Sequence, residues 1–217
     1  MSGLLHSPAA LRQLLAERFP PSRPRPAELL PTGISALDEA IGGGLPAGGL
    51  TEVVALGPSS GGQLFISRLL AATRSTRGRA ALVDGRDAFD PPSHEPETLR
   101  HLLWVRCRTF AEAMQAMDIL VRDANLALVM ADLRDFDPRE CRRLPVTAWY
   151  RLQRAAEQTG LAALILTPAA LVGGAQLRLA LRDGFHLGDF DEERGRLIER
   201  LPFEVQRSRA QAERRTA

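Results

Sequence analysis

The sequence predicts an α/β fold with a mostly parallel central sheet, helices on both faces and antiparallel edge strands near the C-terminus. Apolar runs of strand length alternate with segments of helical period along most of the chain, which is the pattern of such a sheet. The length of 217 residues suits one domain of this class with small additions. Apolar residues make up 45% of the chain, enough for a substantial core.

The first 31 residues are predicted to lie outside that domain. Residues 1–20 should form an amphipathic helix, because Ser7 and Pro8 suit its first turn. The apolar face of this predicted docking helix consists of Leu11, Leu14, Leu15 and Phe19. Residues 21–31 are rich in proline and predict an extended linker. The helix could therefore dock on its own core domain or on another subunit.

The core domain is predicted over residues 32–209, followed by a disordered polar tail over 210–217. A short helix should begin at Ser35, where Ser35 and Asp38 resemble a capping box. Strands are predicted at 51–56, 79–84, 102–106, 126–132, 161–167, 176–181 and 202–207. Longer helices are predicted after residue 62 to about residue 72, at 109–124 and at 146–159. The last two strands alternate in polarity, which favours positions at the edge of the sheet.

The strand at 51–56 leads into a glycine loop with the spacing of a phosphate-binding loop, G-x-x-x-x-G-K-S/T. Gly57 and Gly62 are in place, but Gln63 stands at the lysine position and Leu64 at the Ser/Thr position. In a working loop the lysine neutralises phosphate charge and the hydroxyl holds Mg²⁺. All 28 basic residues of the chain are arginine, so no lysine can substitute. The loop therefore predicts no cofactor, no metal and no hydrolysis.

The composition and the spacing of residues argue against several other classes of protein. A formal net charge of +2 is too small to argue for a nucleic-acid-binding protein. Cys107 and Cys141 are isolated and show no metal-ligand spacing. The longest apolar runs fall well short of the roughly 20 residues that span a bilayer, and no signal peptide is evident. We therefore expect a cytoplasmic protein that does not bind membranes.

The order of the motifs resembles the RecA recombinase family over roughly residues 31–207. Residues 31–38 look like the T-G-x-x-x-L-D opening of that family, and residues 43–48 match its G-G-L-P-x-G turn. Residues 84–91 are similar to its D-x-E-x-A-x-D-P segment, and the apolar run 128–132 fits a Walker B strand. The resemblance implies a RecA-like P-loop NTPase core.

The departures from the family concern its catalytic positions. Arg86 stands where the family has the glutamate that activates water, and a guanidinium cannot act as a base near neutral pH. Gln63 and Leu64 are the other two changed positions. Asp132 keeps the Walker B place, but without the hydroxyl it lacks its metal-binding context. Together these changes predict a pseudo-ATPase.

Two sets of arginines are candidates for contacts with DNA or a partner. Residues 133–145 follow the Walker B strand, where the family has a longer DNA-binding loop; this segment carries Arg134, Arg139, Arg142 and Arg143. They could contact phosphate, or form a solvated basic turn. Arg207 and Arg209 resemble a cationic pair that reaches the neighbouring subunit's nucleotide in that family, although an Arg-rich edge strand explains them equally well.

A short RecA-like chain with these changes resembles the ImuA family, the accessory proteins of bacterial mutagenic translesion synthesis. The resemblance implies a non-catalytic role in the SOS response to DNA damage through protein–protein binding. The partners implied are an ImuB-like inactive Y-family polymerase, and as further candidates RecA and an error-prone replicative-type polymerase, with weak direct DNA binding. The alternatives are a SulA-like cell-division inhibitor and a nucleotide-binding regulator without hydrolysis.

Overall fold

The computed structural model describes residues 29–55, 57, 59–182 and 184–208, without the side chain of Phe190. Its strands are β1 (Leu29–Leu30), β2 (Leu45–Pro46), β3 (Gly49–Ala55), β4 (Ala80–Asp84), β5 (Leu102–Arg106), β6 (Leu128–Asp132), β7 (Ala162–Thr167), β8 (Leu177–Leu181) and β9 (Phe203–Ser208). Its α-helices are α1 (Ser35–Ile41), α2 (Gly62–Ser75), α3 (Pro96–Leu99), α4 (Phe110–Leu120), α5 (Pro138–Cys141), α6 (Val146–Thr159) and α7 (Arg194–Glu199). Short 3₁₀ helices lie at Pro91–Ser93 and Leu187–Asp191. The predicted N-terminal helix, the linker up to residue 28 and the tail lie outside the described residues.

Within the described residues, seven strands form the main sheet in the order β5-β4-β6-β7-β3-β8-β9. Neighbouring strands are parallel except for the antiparallel pair β8–β9. Strands β3, β4, β6 and β7 are buried along their whole length, as expected for a parallel sheet that is covered on both faces. The predicted α/β class with a mostly parallel sheet is confirmed.

Helices cover both faces of this sheet, as predicted. One hydrophobic cluster packs α4 and α6 against the sheet through residues such as Met117 and Leu152. The other packs α1 and α2 against the opposite face through residues such as Leu37 and Phe65. The carboxyl ends of the parallel strands all lie on the same side of the sheet. The loops that follow β3, β4 and β6 therefore lie close together there and form the candidate site.

Strand β8 is not the edge strand that the sequence predicts. It pairs in parallel with β3 and in antiparallel fashion with β9, so of the two predicted edge strands β9 alone lies at an edge of the described sheet. The polar residue that suggested a solvent-facing side is Arg178, whose Nε atom donates to Oε2 of the fully buried Glu52 at 2.6 Å. The alternation in polarity thus reflects an internal ion pair, which sequence pattern alone does not distinguish from exposure.

The start of the core also differs from the prediction. Leu29 and Leu30, which we assigned to the linker, pair as β1 with β2. Helix α1 has no side-chain cap from Ser35; instead the carboxylate of Asp38 accepts hydrogen bonds from the backbone N–H and hydroxyl of Thr32 and from the N–H of Gly33. Asp38 therefore fixes the segment that leads into the core.

Candidate functional site at the glycine loop

The glycine loop connects β3 to α2 and ends in a backbone conformation that favours glycine. Gly61 precedes α2 with φ +84° and Gly57 has φ +131°. The first N–H groups of a helix have no partner within that helix, so the start of α2 would suit an anion. Two glycines of the loop therefore adopt positive φ angles that residues with a side chain rarely adopt.

A guanidinium group occupies the space above the start of α2. A Cβ atom placed on Gly62 would lie only 2.1 Å from Nη1 of Arg134. The same guanidinium donates from Nε to Oδ1 of Asp132 at 2.8 Å and from Nη2 to Oδ2 at 2.5 Å. Arg134 and Asp132 therefore form a two-point ion pair against the start of α2.

This ion pair is largely shielded from solvent. The side chain of Arg134 is 17% exposed and that of Asp132 is 4% exposed. Burial alone would lower the pKa of Arg134, but its hydrogen bonds to Asp132 and the nearby charges, including Asp135 and Asp84, raise it overall. Arg134 is therefore a permanent cation whose charge is compensated by the Walker B carboxylate.

Gln63 takes part in the same network. Its Nε2 atom donates to Oδ2 of Asp132 and to the backbone oxygen of Ala88, both at 3.3 Å. Leu64, at the position of the metal-binding hydroxyl, is partly buried against the core cluster that contains α1 and α2. Gln63 thus contacts Asp132 and Ala88, and Leu64 packs on the core, at the two positions where a working loop has the lysine and the metal-binding hydroxyl.

Arg86 lies in the loop after β4, beside this network. Its guanidinium carbon is 4.6 Å from the centroid of the Phe136 ring, a cation–π contact. The N–H of Gly85 donates to the backbone oxygen of Asp132 at 3.1 Å, which joins the loops after β4 and β6. The residue in place of the family's glutamate is therefore an exposed cation stacked on an aromatic ring.

The buried Asp84 at the end of β4 organises the rest of that loop. Its carboxylate accepts hydrogen bonds from the N–H groups of Ala88 and Phe89 and from Nε1 of Trp104. The position of the Ala88 oxygen, and hence of its bond to Gln63, follows from these contacts.

A cavity of about 580 Å³ opens beside the glycine loop. Its lining includes Gly57, Ser59, Gln63, Arg134, Asp135 and Pro168. Among the described residues, no group of three or more His, Cys, Asp or Glu side chains could hold a metal ion. The polar groups that face the cavity are an amide, a hydroxyl, a carboxylate and the paired guanidinium.

The structure separates the arginines that the sequence grouped together. Arg134 belongs to the site just described and not to an exposed basic turn. Arg139, Arg142 and Arg143 are exposed on α5 and the turn that follows it. Arg207 on β9 donates from Nη1 to the backbone oxygen of Gly173 at 3.0 Å. Arg209 and the docking-helix residues lie outside the described part of the chain.

Sequence reasoning missed the role of Arg134. The available signal was its spacing, because Asp132 ends a buried strand and Arg134 follows two residues later.

None of the described helices is both long and apolar enough to cross a membrane.

Comparison with known proteins identifies a RecA-like chain. No family model matches it. It is 37% identical over 112 residues to the RecA protein of Methylococcus capsulatus, covering 50% of this chain and 32% of that protein. It is 35% identical over 108 residues to RecA of Gloeothece citriformis, covering 48% and 30% of the two chains. RecA of Streptomyces ambofaciens is 34% identical over 111 residues, with coverage of 49% and 29%.

The chain spans about a third of the length of these curated relatives. The similarity over half of the chain and the seven-stranded, mostly parallel sheet together define an α/β core of the P-loop NTPase type, related to RecA.

Proposed function

We propose that this protein is a non-catalytic RecA-like accessory protein that acts by protein–protein binding in SOS-induced mutagenic translesion DNA synthesis. One observation carries the proposal: the Arg134–Asp132 ion pair lies against Gly62, where a working loop would receive phosphate. The residues Gln63, Leu64 and Arg86 at the positions of the catalytic lysine, hydroxyl and base support the same conclusion. The relationship to RecA favours a role in the response to DNA damage.

Retention of the fold despite these changes supports a role for its surfaces. The core has a mostly parallel sheet with a helical layer on each face, so surfaces that bind other proteins can persist without hydrolysis. An ImuB-like inactive Y-family polymerase is the first expected partner. RecA and an error-prone replicative-type polymerase are the further candidates, and the exposed arginines of α5 and of the turn that follows it would make at most weak contacts with DNA.

A binding experiment with the purified full chain tests this proposal. Immobilised protein should retain an ImuB-like polymerase homologue, and adding ATP and Mg²⁺ should leave the retained amount unchanged. A strain that lacks the gene should lose damage-induced mutagenesis, and a Gln63→Ala copy should restore it. A folded protein that binds neither the polymerase homologue nor RecA would contradict the proposal.

A nucleotide-binding regulator without hydrolysis is the second candidate, favoured by the cavity of about 580 Å³ beside Ser59 and Gln63. Binding of a nucleotide in this cavity would require Arg134 either to break its ion pair with Asp132 or to contact the phosphates from its present position. Calorimetry with ATP and Mg²⁺ distinguishes the two candidates. We expect no measurable heat of binding, and a low-micromolar dissociation constant would favour the regulator.

A further inference from the structure

A second cavity lies in a groove between α4 and α6, whose residues are distant in sequence from the glycine loop. Its lining is more apolar than that of the cavity beside the glycine loop. It has a volume of about 460 Å³ and is lined by apolar side chains together with the ion pair of Asp118 and Arg151. The apolar side chains include Met114, Ile119, Leu144, Ala148 and Leu152. Ile119 is 70% exposed although it borders this apolar surface. We call this surface the α4–α6 groove.

We propose that the α4–α6 groove is covered by residues 8–19 of the same chain, docked as an amphipathic helix. The sequence predicts one apolar stripe there, from Leu11 to Phe19. At 1.5 Å per residue this stripe is about 12 Å long. The α4 side of the groove runs from Ala111 to Ile119, which is also about 12 Å. The apolar stripe and the groove therefore match in length.

The position of Leu29 brings this segment within reach of the groove. Leu29 pairs with Pro46, and two residues later the N–H of Gly48 donates to the backbone oxygen of Leu161 at 2.8 Å. A Cβ atom placed on Gly48 would lie 3.6 Å from Cα of Glu157, in the last turn of α6. The segment that pairs with the first described residue thus lies against α6, the helix that forms one side of the groove.

The linker is long enough for docking within one molecule. The nine residues at 20–28 would span about 28 Å in the extended form that their prolines favour. The distance along α6 from Glu157 back to Ala148 is only about 14 Å. A short tether gives an effective concentration on the order of millimolar, so at micromolar protein the chain's own helix should displace a second copy. This inference does not depend on the proposed function.

Hydrogen exchange measured by mass spectrometry on the full chain tests the inference. Amides in 8–19 should exchange about tenfold or more slowly than in an unfolded chain, at both low and high protein concentration. Ile119→Glu and, separately, Leu15→Glu should abolish this protection. Ile119 is exposed, so its substitution leaves the core intact. The matched control is Leu187→Glu, because Leu187 is 89% exposed and does not line the groove.

Three outcomes would overturn the inference. The first is that residues 8–19 show no protection in the parent protein. The second is that their protection persists in Ile119→Glu. The third is that protection rises with protein concentration while light scattering detects a dimer, which would assign the groove to a second copy.

Discussion

Arg134 donates to both carboxylate oxygens of Asp132, and its guanidinium lies against the first residue of α2. The chain thereby holds its own cation against the start of the helix that follows the glycine loop. Asp132, which would contribute to metal binding in an active relative, is used to neutralise that cation. The two residues are the basis of the first two predictions.

Removing Arg134 should destabilise the fold. Arg134→Ala leaves Asp132 as a buried, uncompensated charge, and we expect a loss of about 3 kcal/mol in the free energy of unfolding. Adding Asp132→Asn should recover part of this loss, because the remaining partner is then neutral. The control Arg139→Ala, at an exposed site, should change stability by less than about 0.5 kcal/mol. Urea unfolding measures all three, and equal effects of Arg134→Ala and Arg139→Ala would contradict the prediction.

Restoring the two loop residues should not restore hydrolysis. In Gln63→Lys with Leu64→Thr, the guanidinium of Arg134 still lies against Gly62 and Arg86 still stands in place of the base. Phosphate release from ATP should remain at the background of the parent protein. Adding Arg134→Ala should permit nucleotide binding without turnover, as measured by calorimetry and phosphate release. Turnover by the double variant would show that the assignment of Arg86 is wrong.

The buried pair of Glu52 and Arg178 should contribute to stability through the loop after β7. Glu52 accepts hydrogen bonds from Arg178, from the hydroxyl of Thr167 and from the N–H groups of Leu171 and Val172. Arg178→Leu should therefore cost about 3 to 5 kcal/mol, because a charge is left buried without its partner.

The control for this pair is an exposed ion pair close in sequence. Arg182 and Glu204 are each about half exposed, so Arg182→Leu should cost less than about 1 kcal/mol. In a double-mutant cycle, Glu52→Gln with Arg178→Leu should cost less than the sum of the two single changes. Additive losses in denaturant unfolding would mean that the two side chains are not coupled.

Stability should fall as the pH decreases through the range where histidine becomes protonated. Burial, and then the charge of Arg194, lower the pKa of His94, while Asp90 acts in the opposite direction. Below the ordinary histidine pKa, about 6.5, the unfolded chain binds a proton more readily than the folded chain. The contribution of His94 is thus complete above that value and decreases as the pH falls below it.

The measurement is thermal unfolding between about pH 7.5 and pH 5, the range around the histidine pKa. The variant His94→Asn should show a flatter pH profile than the parent protein. The ring of His94 also packs on Phe89 at a centroid distance of 4.6 Å, so the variant should be less stable at pH 7.5. Identical slopes for parent and variant would exclude His94 as the cause of the pH dependence.

Local pattern predicted much of the fold because parallel strands and amphipathic helices leave strong signals. Strand β5 and helix α6 were predicted with the same first and last residues that the structure shows. Strand β8 was misplaced because Arg178 looks polar in sequence but is paired inside the protein. The residues at the loop positions were equally readable from the sequence, because the spacing of the loop is local and Gln63, Leu64 and Arg86 follow from position alone.

The sequence by itself determined the α/β class, the order of most elements and the absence of lysine from the glycine loop, because each of these depends on residues that are neighbours along the chain. Only the tertiary structure decided that Arg134 lies against Gly62, that Gln63 contacts Asp132 and Ala88, and that Glu52 is paired with Arg178. Those contacts join loops and strands that are far apart in sequence. They are selected by burial and charge compensation in the folded protein, and no local pattern encodes that choice.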